Sequence, residues 1–116
     1  MADKASFTAG SSDFGHGQAI PGEFAYPVPG EPGRNLSPEV HWGGAPEGTQ
    51  SYAVLVHDPD APTGGSGWWH WLVVDIPAGT TSLARGAGEP QGKALPAGCR
   101  QLKNDYGEIG WGGPCP

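Results

Sequence analysis

Asp58, Asp60 and His70 are the residues of this chain whose types and spacing could do chemistry. The two aspartates lie in Asp58-Pro59-Asp60-Ala61-Pro62, and the histidine follows in Trp68-Trp69-His70-Trp71. An Asp–His pair fixes the imidazole tautomer and favours the charged ring, which suits holding an oxyanion or relaying a proton. Each half also has a plain structural reading. Prolines fix φ and aspartates capture N–H groups in ordinary turns. A histidine among tryptophans is often just a buried ring satisfied by a backbone carbonyl. What favours a site is the combination, provided the segments carrying the two halves lie in one sheet.

The flanking residues support that arrangement. Tyr52-Ala53-Val54-Leu55-Val56 and Trp71-Leu72-Val73-Val74 are short, β-branched and aromatic, and nearly continuous in apolar character, the pattern of strands covered on both faces. Asp58 and Asp60 then fall where the first strand ends, and His70 where the second begins. Alternation along a strand places Trp68 and His70 on one face and Trp69 and Trp71 on the other, so His70 shares its face with an aromatic wall.

Composition bounds the rest. A chain of 116 residues supports one domain with a single core, spanning residues 1–116. The 21 glycines and 13 prolines would suit a disordered chain, but five Trp, three Tyr and three Phe beside valine-rich runs argue for a packed, loop-rich β fold. Val40-His41-Trp42 reads as a further short strand, closed by the turn residues from Gly43 to Gly48. Residues 1–38 read as edge strands and loops anchored by Phe7, Phe14, Ile20, Phe24 and Tyr26. Ser82 could cap one helical turn before Gly86 stops it, and nothing supports a long helix.

The formal charge of −6, with the six Lys/Arg scattered, excludes a nucleic-acid-binding stripe. No apolar run reaches the length of a membrane span, and MADKASFTAGSSDFG lacks the apolar core of a secretory signal, so a cytoplasmic protein is expected. Cys99 and Cys115 are expected as free thiols, with one bridge as the alternative. No pair of histidines has metal-ligand spacing, and neither metal nor cofactor is expected. The glycine-rich stretch Gly107–Gly113 precedes no helix, which rules out a nucleotide-binding fold. Its successive N–H groups could still form an anion-binding nest.

Asn35-Leu36-Ser37-Pro38, Trp42, Asp58-Pro59-Asp60-Ala61-Pro62, Trp69-His70-Trp71, Asn104-Asp105-Tyr106-Gly107 and Gly112-Gly113-Pro114-Cys115-Pro116 occur in an order that closely resembles the phosphatidylethanolamine-binding protein family, in its bacterial and archaeal, Raf kinase inhibitor-like branch. The resemblance runs from about Phe7 to Pro116. It implies a mainly β fold, a large central antiparallel sheet packed on a smaller one with few short helices. It also implies a small pocket near one end of the sheet that takes phosphate, sulfate, acetate or a phospho-headgroup.

Carried over by motif, Asp58 and His70 are the acid and histidine of that pocket. Asp60 and Pro62 shape its loop, Trp68 lines the wall, and Gly113 offers backbone at the floor beside Pro114. The family pattern continues with a Gly-rich loop, a His-Arg-Tyr motif bearing a second pocket histidine, a core strand and a terminal helix. The C-terminal part of the fold is therefore expected as a separate polypeptide after cleavage near Pro116, or as a gap covered by another copy in a homodimer. The expected function is small-anion or phospho-ligand binding without catalysis, tightening as pH falls from about 8 to about 6. Two alternatives stand beside it. One is a kinase inhibitor-like regulator using the pocket rim. The other is a weak hydrolase in which Cys115, Ser66 or Thr63 is the nucleophile and His70 with Asp58 the base, although no nucleophile-elbow motif is present.

Overall fold

The structure, a computed structural model, describes residues 6–30, 33–62 and 65–115. Six strands and one short 3-10 turn follow in chain order. They are β1 (Thr8–Gly10), the turn Gly22–Phe24, β2 (Val40–Gly43), β3 (Ser51–Asp58), β4 (Trp68–Pro77), β5 (Ser82–Leu83) and β6 (Arg100–Gln101). They form two three-stranded antiparallel sheets, ordered β1-β2-β5 and β3-β4-β6. The second is dominated by the long β3–β4 pair and the first is built of short strands, so the architecture is mainly β, as expected.

The apolar runs at 52–56 and 71–74 are strands, and they do lie in one sheet. Their coverage differs from the expectation. β3 alternates between exposed and half-buried residues along its whole length, and Leu55 is 53% exposed. The reason is position, because β3 is an edge of its sheet among the described residues. β4, paired on both sides, supplies Trp71, Val73 and Ile76 to the core. There they meet Trp42 of β2, Leu83 of β5, Phe24 and Trp111 in one cluster shared by both sheets.

Two irregularities in β4 set its pattern. Tyr52 faces Ile76 whereas Val54 faces Val73, so β4 carries an extra residue around Val74 and Asp75. Asp75 takes it up with φ 58°, a left-handed conformation that Asp tolerates better than most side chains. Nearer the start, Val56 faces Trp71 and His57 faces Trp69, which leaves His70 as the extra residue of a bulge. Bulges re-aim a side chain, and that is why His70 and Trp71 are buried in succession where strict alternation would bury one.

Three local expectations are corrected. Ser82 caps no helical turn; it pairs with His41, because β2 offers a ladder partner. The Gly22–Phe24 turn is the helical element instead. Phe24 is fully buried, whereas Phe7 and Ile20 are 54% and 42% exposed and anchor little.

Candidate functional site

At the Asp58 end of the β3–β4 pair, a cavity of about 370 Å³ is lined by Asp58, Asp60, Ala61, Pro62, Trp68, His70, Tyr106, Pro114 and Cys115. Asp58 and Trp68 face each other as the last matched pair of the two strands, which delivers the acidic loop and the aromatic wall to the same place. The loop turns as its composition dictates. The Asp60 N–H donates to Asp58 Oδ1 at 3.0 Å, an Asx turn within the loop that lines the cavity.

The bulge turns His70 inward, and it is only 8% exposed. Its Nδ1 lies 2.5 Å from the carbonyl oxygen of Gly112. A carbonyl only accepts, so Nδ1 carries the proton and Nε2 is the nitrogen left for the cavity. Asp58 and His70 thus share one cavity, as the sequence suggested, but no hydrogen bond joins them among the described residues. The imidazole is oriented by a backbone carbonyl, the partner that the plain reading of a buried histidine supplies.

The expected floor is also different. Gly113 lies behind the wall: its N–H donates to Asn35 Oδ1 at 2.7 Å, and its carbonyl accepts from the Tyr106 hydroxyl at 2.7 Å. The neighbouring N–H groups are likewise committed, that of Trp111 to Gly88 O at 2.8 Å and that of Gly112 to His70 O at 2.8 Å. These donors form no open anion nest, because the ribbon spends them on its own attachment. Gly113 is there for closeness, since a Cβ would collide with the Phe24 carbonyl oxygen.

The ribbon from Gly110 to Pro114 is held by residues far away in sequence. Asn35, at φ 52°, donates through Nδ2 to the Trp111 carbonyl at 3.2 Å as well as accepting from Gly113. Tyr26 N–H donates to the Pro114 carbonyl at 2.9 Å, and the Trp111 indole N–H to the Phe24 carbonyl at 2.9 Å. Asn104, 4% exposed, reaches Gly110 O at 2.9 Å and folds the turn that delivers Tyr106.

Site reasoning missed the cavity residues Ala61 and, more consequentially, Tyr106, whose turn motif Asn104-Asp105-Tyr106-Gly107 was visible. It stacks on Tyr26 with ring centroids 4.1 Å apart and meets Trp68 edge-on at 5.2 Å. Burial, followed by repulsion from the charges that Cys115, Tyr26 and Glu108 carry when ionised, pushes its hydroxyl up to about 12. It therefore stays a neutral donor to Gly113. Tyr26 is also shifted up, chiefly by its hydrogen bond to Glu108 Oε1 at 2.9 Å.

Cys115 is exposed on the cavity and Cys99 half-buried elsewhere, and both thiols are free. Ser66 does not line the cavity; its carbonyl accepts from the His57 ring at 3.1 Å. Thr63 and Pro116 lie outside the described residues. Among the described residues, no group of three or more His, Cys, Asp and Glu side chains is placed to hold a metal ion, and no helix is long and apolar enough to cross a membrane.

A two-sheet β fold with an Asp-x-Asp loop and a bulged histidine at one sheet end defines a recognisable class. The chain belongs to the phosphatidylethanolamine-binding protein family, whose model matches residues 10–116. It is 48% identical over 115 residues to the UPF0098 protein YbcL of Escherichia coli, covering 99% of this chain and 62% of that protein. To YbhB of the same organism it is 42% identical over 106 residues, 91% of this chain and 66% of the relative. The crystal structure of YbcL, described as a new member of the mammalian family of this name, superposes with a TM-score of 0.91 over 97% of this chain and 68% of that one. A homologue from Chlamydia trachomatis, CT736, at 27% identity, gives 0.78 over 97% and 67%. The chain thus spans less than two thirds of the length of the two E. coli relatives it matches.

Proposed function

We propose that this protein binds a small phosphorylated ligand, such as free phosphate or a phospho-headgroup, in the cavity between the Asp58–Pro62 loop and the Gly110–Pro114 ribbon. The observation that carries the reading is the fixed orientation of His70. With Nδ1 held by Gly112, Nε2 meets the cavity as a single nitrogen, and when protonated it donates to a phosphate oxygen. Asp58 and Asp60, which line the same cavity, repel a fully ionised phosphate but accept from a protonated phosphate, an ammonium or a hydroxyl. A ligand with an anionic end for His70 and a donor end for the aspartates matches both. The cavity volume falls within the range of small-molecule sites.

Binding without turnover is the better reading of these residues. Among the described residues His70 has no carboxylate hydrogen-bond partner of the kind a general base in a nucleophile–base pair would use, and Ser66 does not line the cavity. Two free thiols suit the reducing interior of a cell, the compartment we assign. The test is calorimetric titration with inorganic phosphate and with phosphoethanolamine between pH 8 and pH 6. Affinity is expected to rise as pH falls, because a less ionised phosphate is repelled less by Asp58 and Asp60 in the same cavity, and phosphoethanolamine is expected to bind more tightly than phosphate. A flat profile with equal affinities would overturn the reading.

A further inference from the structure

Half of this chain's cations sit together in one segment that the cavity does not use. Lys93, Arg100 and Lys103 are three of its six Lys and Arg residues, and residues 90–104 hold none of its twelve acids. On a chain of net charge −6, that is one exposed stretch of opposite sign. The carboxylates that accompany it are already engaged. Asp75 Oδ2 accepts from Arg100 Nε at 2.9 Å, and Glu89 accepts from the Gln91 and Lys93 N–H groups at 3.1 and 2.7 Å. The first of these bonds orients the Arg100 guanidinium and leaves its Nη groups over.

The same segment borders a groove of about 330 Å³ whose lining includes Leu95, Arg100, Gln101, Leu102 and Ile109. Leu102 and Ile109 are both exposed, so apolar side chains lie open beside a cation. β6 is the other edge of its sheet among the described residues, and the Leu102 N–H donates to Leu72 O at 2.9 Å. Antiparallel alternation then turns the Gln101 N–H and carbonyl away from β4, towards the free side. Ile109 pairs with Lys103, one step further along the chain edge, and leaves Gln101 uncovered. The Gln101 side chain is anchored at both ends, Oε1 accepting from the Trp71 indole at 2.7 Å and Nε2 donating to Glu89 O at 2.8 Å, so this piece of edge is held in place.

We propose that this groove docks an extended acidic peptide, in which Asp or Glu alternates with aliphatic residues. Three features select that occupant. A peptide residue opposite Gln101 supplies both the N–H and the carbonyl that an edge residue lacks, in the manner of strand addition. Its aliphatic side chains meet Leu95, Leu102 and Ile109. Its carboxylates pair with the Arg100 Nη groups, and the exposed Lys93 and Lys103 add charge of the same sign alongside. A fatty acid would suit the cation and the apolar side chains but leave a backbone group of Gln101 unmet, and a basic peptide would meet like charge. The docking is independent of the phospho-ligand reading, because the groove and the cavity share no lining residue.

The experiment titrates isotope-labelled protein with an acetylated, amidated hexapeptide of alternating Glu and Leu, with its Lys–Leu counterpart and with decanoate, and follows the amide signals and their exchange. The Glu–Leu peptide is expected to shift the Gln101, Leu102 and Ile109 signals saturably and to slow exchange of the Gln101 amide several-fold. Added salt should weaken it. Arg100→Glu sits at an exposed position whose ion pair with Asp75 contributes little to stability, and it should weaken peptide binding by roughly tenfold or more. Equal binding of the Lys–Leu peptide or of decanoate, no saturable shift at these residues, or unchanged affinity in Arg100→Glu would overturn the docking. The wild-type titrations test the choice of occupant by themselves, so that result does not depend on the variant.

Discussion

His70 and Gly112 hold each other by two hydrogen bonds, from imidazole Nδ1–H to the Gly112 carbonyl at 2.5 Å and from the Gly112 N–H to the His70 carbonyl at 2.8 Å. One residue is the bulge of β4 and the other belongs to the ribbon that closes the cavity. The same contact that fixes the ring therefore also docks the wall beside it.

His70→Asn separates these two duties. The Asn amide can donate to Gly112 from the position of Nδ1 while nothing replaces Nε2, so stability should stay within about 1 kcal/mol of wild type. Phosphate affinity should fall by roughly tenfold or more with the loss of a charge-assisted hydrogen bond. Calorimetry and thermal unfolding read the two effects independently; unchanged affinity would show that Nε2 is not a ligand contact.

Asn35→Ala should cost about 2–4 kcal/mol, because it removes the partners of both Trp111 O and Gly113 N and places a less tolerant residue at φ 52°. Asn35→Gly tolerates the dihedral and loses only the bonds. Urea unfolding should rank wild type above Asn35→Gly and Asn35→Ala lowest; equal stability of all three would mean that the bracket carries no energy.

Alkaline titration should show Tyr106 ionising late. Its hydroxyl is pushed up to about 12 by burial and by repulsion from adjacent groups when ionised, so the folded state keeps a proton that the unfolded chain releases near the ordinary tyrosine value. The native state then binds more protons over that interval. Its contribution to stability is complete below the unfolded value and declines as pH rises towards about 12. Absorbance of ionised tyrosine followed against pH should lose its latest phase in Tyr106→Phe.

The acid side has its own group. Burial raises the Glu39 carboxyl, but the Ser12 N–H at 2.8 Å, His41 Nδ1 at 2.9 Å and the Ser12 hydroxyl at 3.2 Å together outweigh it and leave Glu39 below its ordinary value. A depressed carboxyl contributes above its unfolded pKa, and the contribution is lost as pH falls through the lower, folded value. Glu39→Gln should therefore be less stable than wild type at neutral pH and converge with it in acid. Parallel pH–stability curves would contradict the assignment.

Much of this molecule was legible in its residues. The runs at 52–56 and 71–74 announced the central pair, and ordered short motifs pointed to the family. Asp58, Asp60, Pro62, Trp68, His70 and Pro114 all line one cavity. Sequence could not reveal which atoms satisfy which. The choice of Gly112 over Asp58 as the His70 partner depends on a single extra residue in β4, and a bulge leaves no mark in apolar periodicity. Gly113 was misjudged for a related reason. Glycine signals a close backbone approach without saying whether ligand or protein makes it, and here the Phe24 carbonyl does.

The ribbon has a kinetic meaning as well. Gly113 is bonded to a residue 78 positions earlier, Trp111 to ones 76 and 87 positions earlier, and His70 to one 42 positions later. Contacts this distant in sequence require large loops to close before they contribute anything, so the cavity completes late, after the local β3–β4 pairing. The cavity is therefore expected to assemble as one of the last events of folding. Amide exchange at Gly112 and Gly113 would report the opening of the site separately from loss of the sheet.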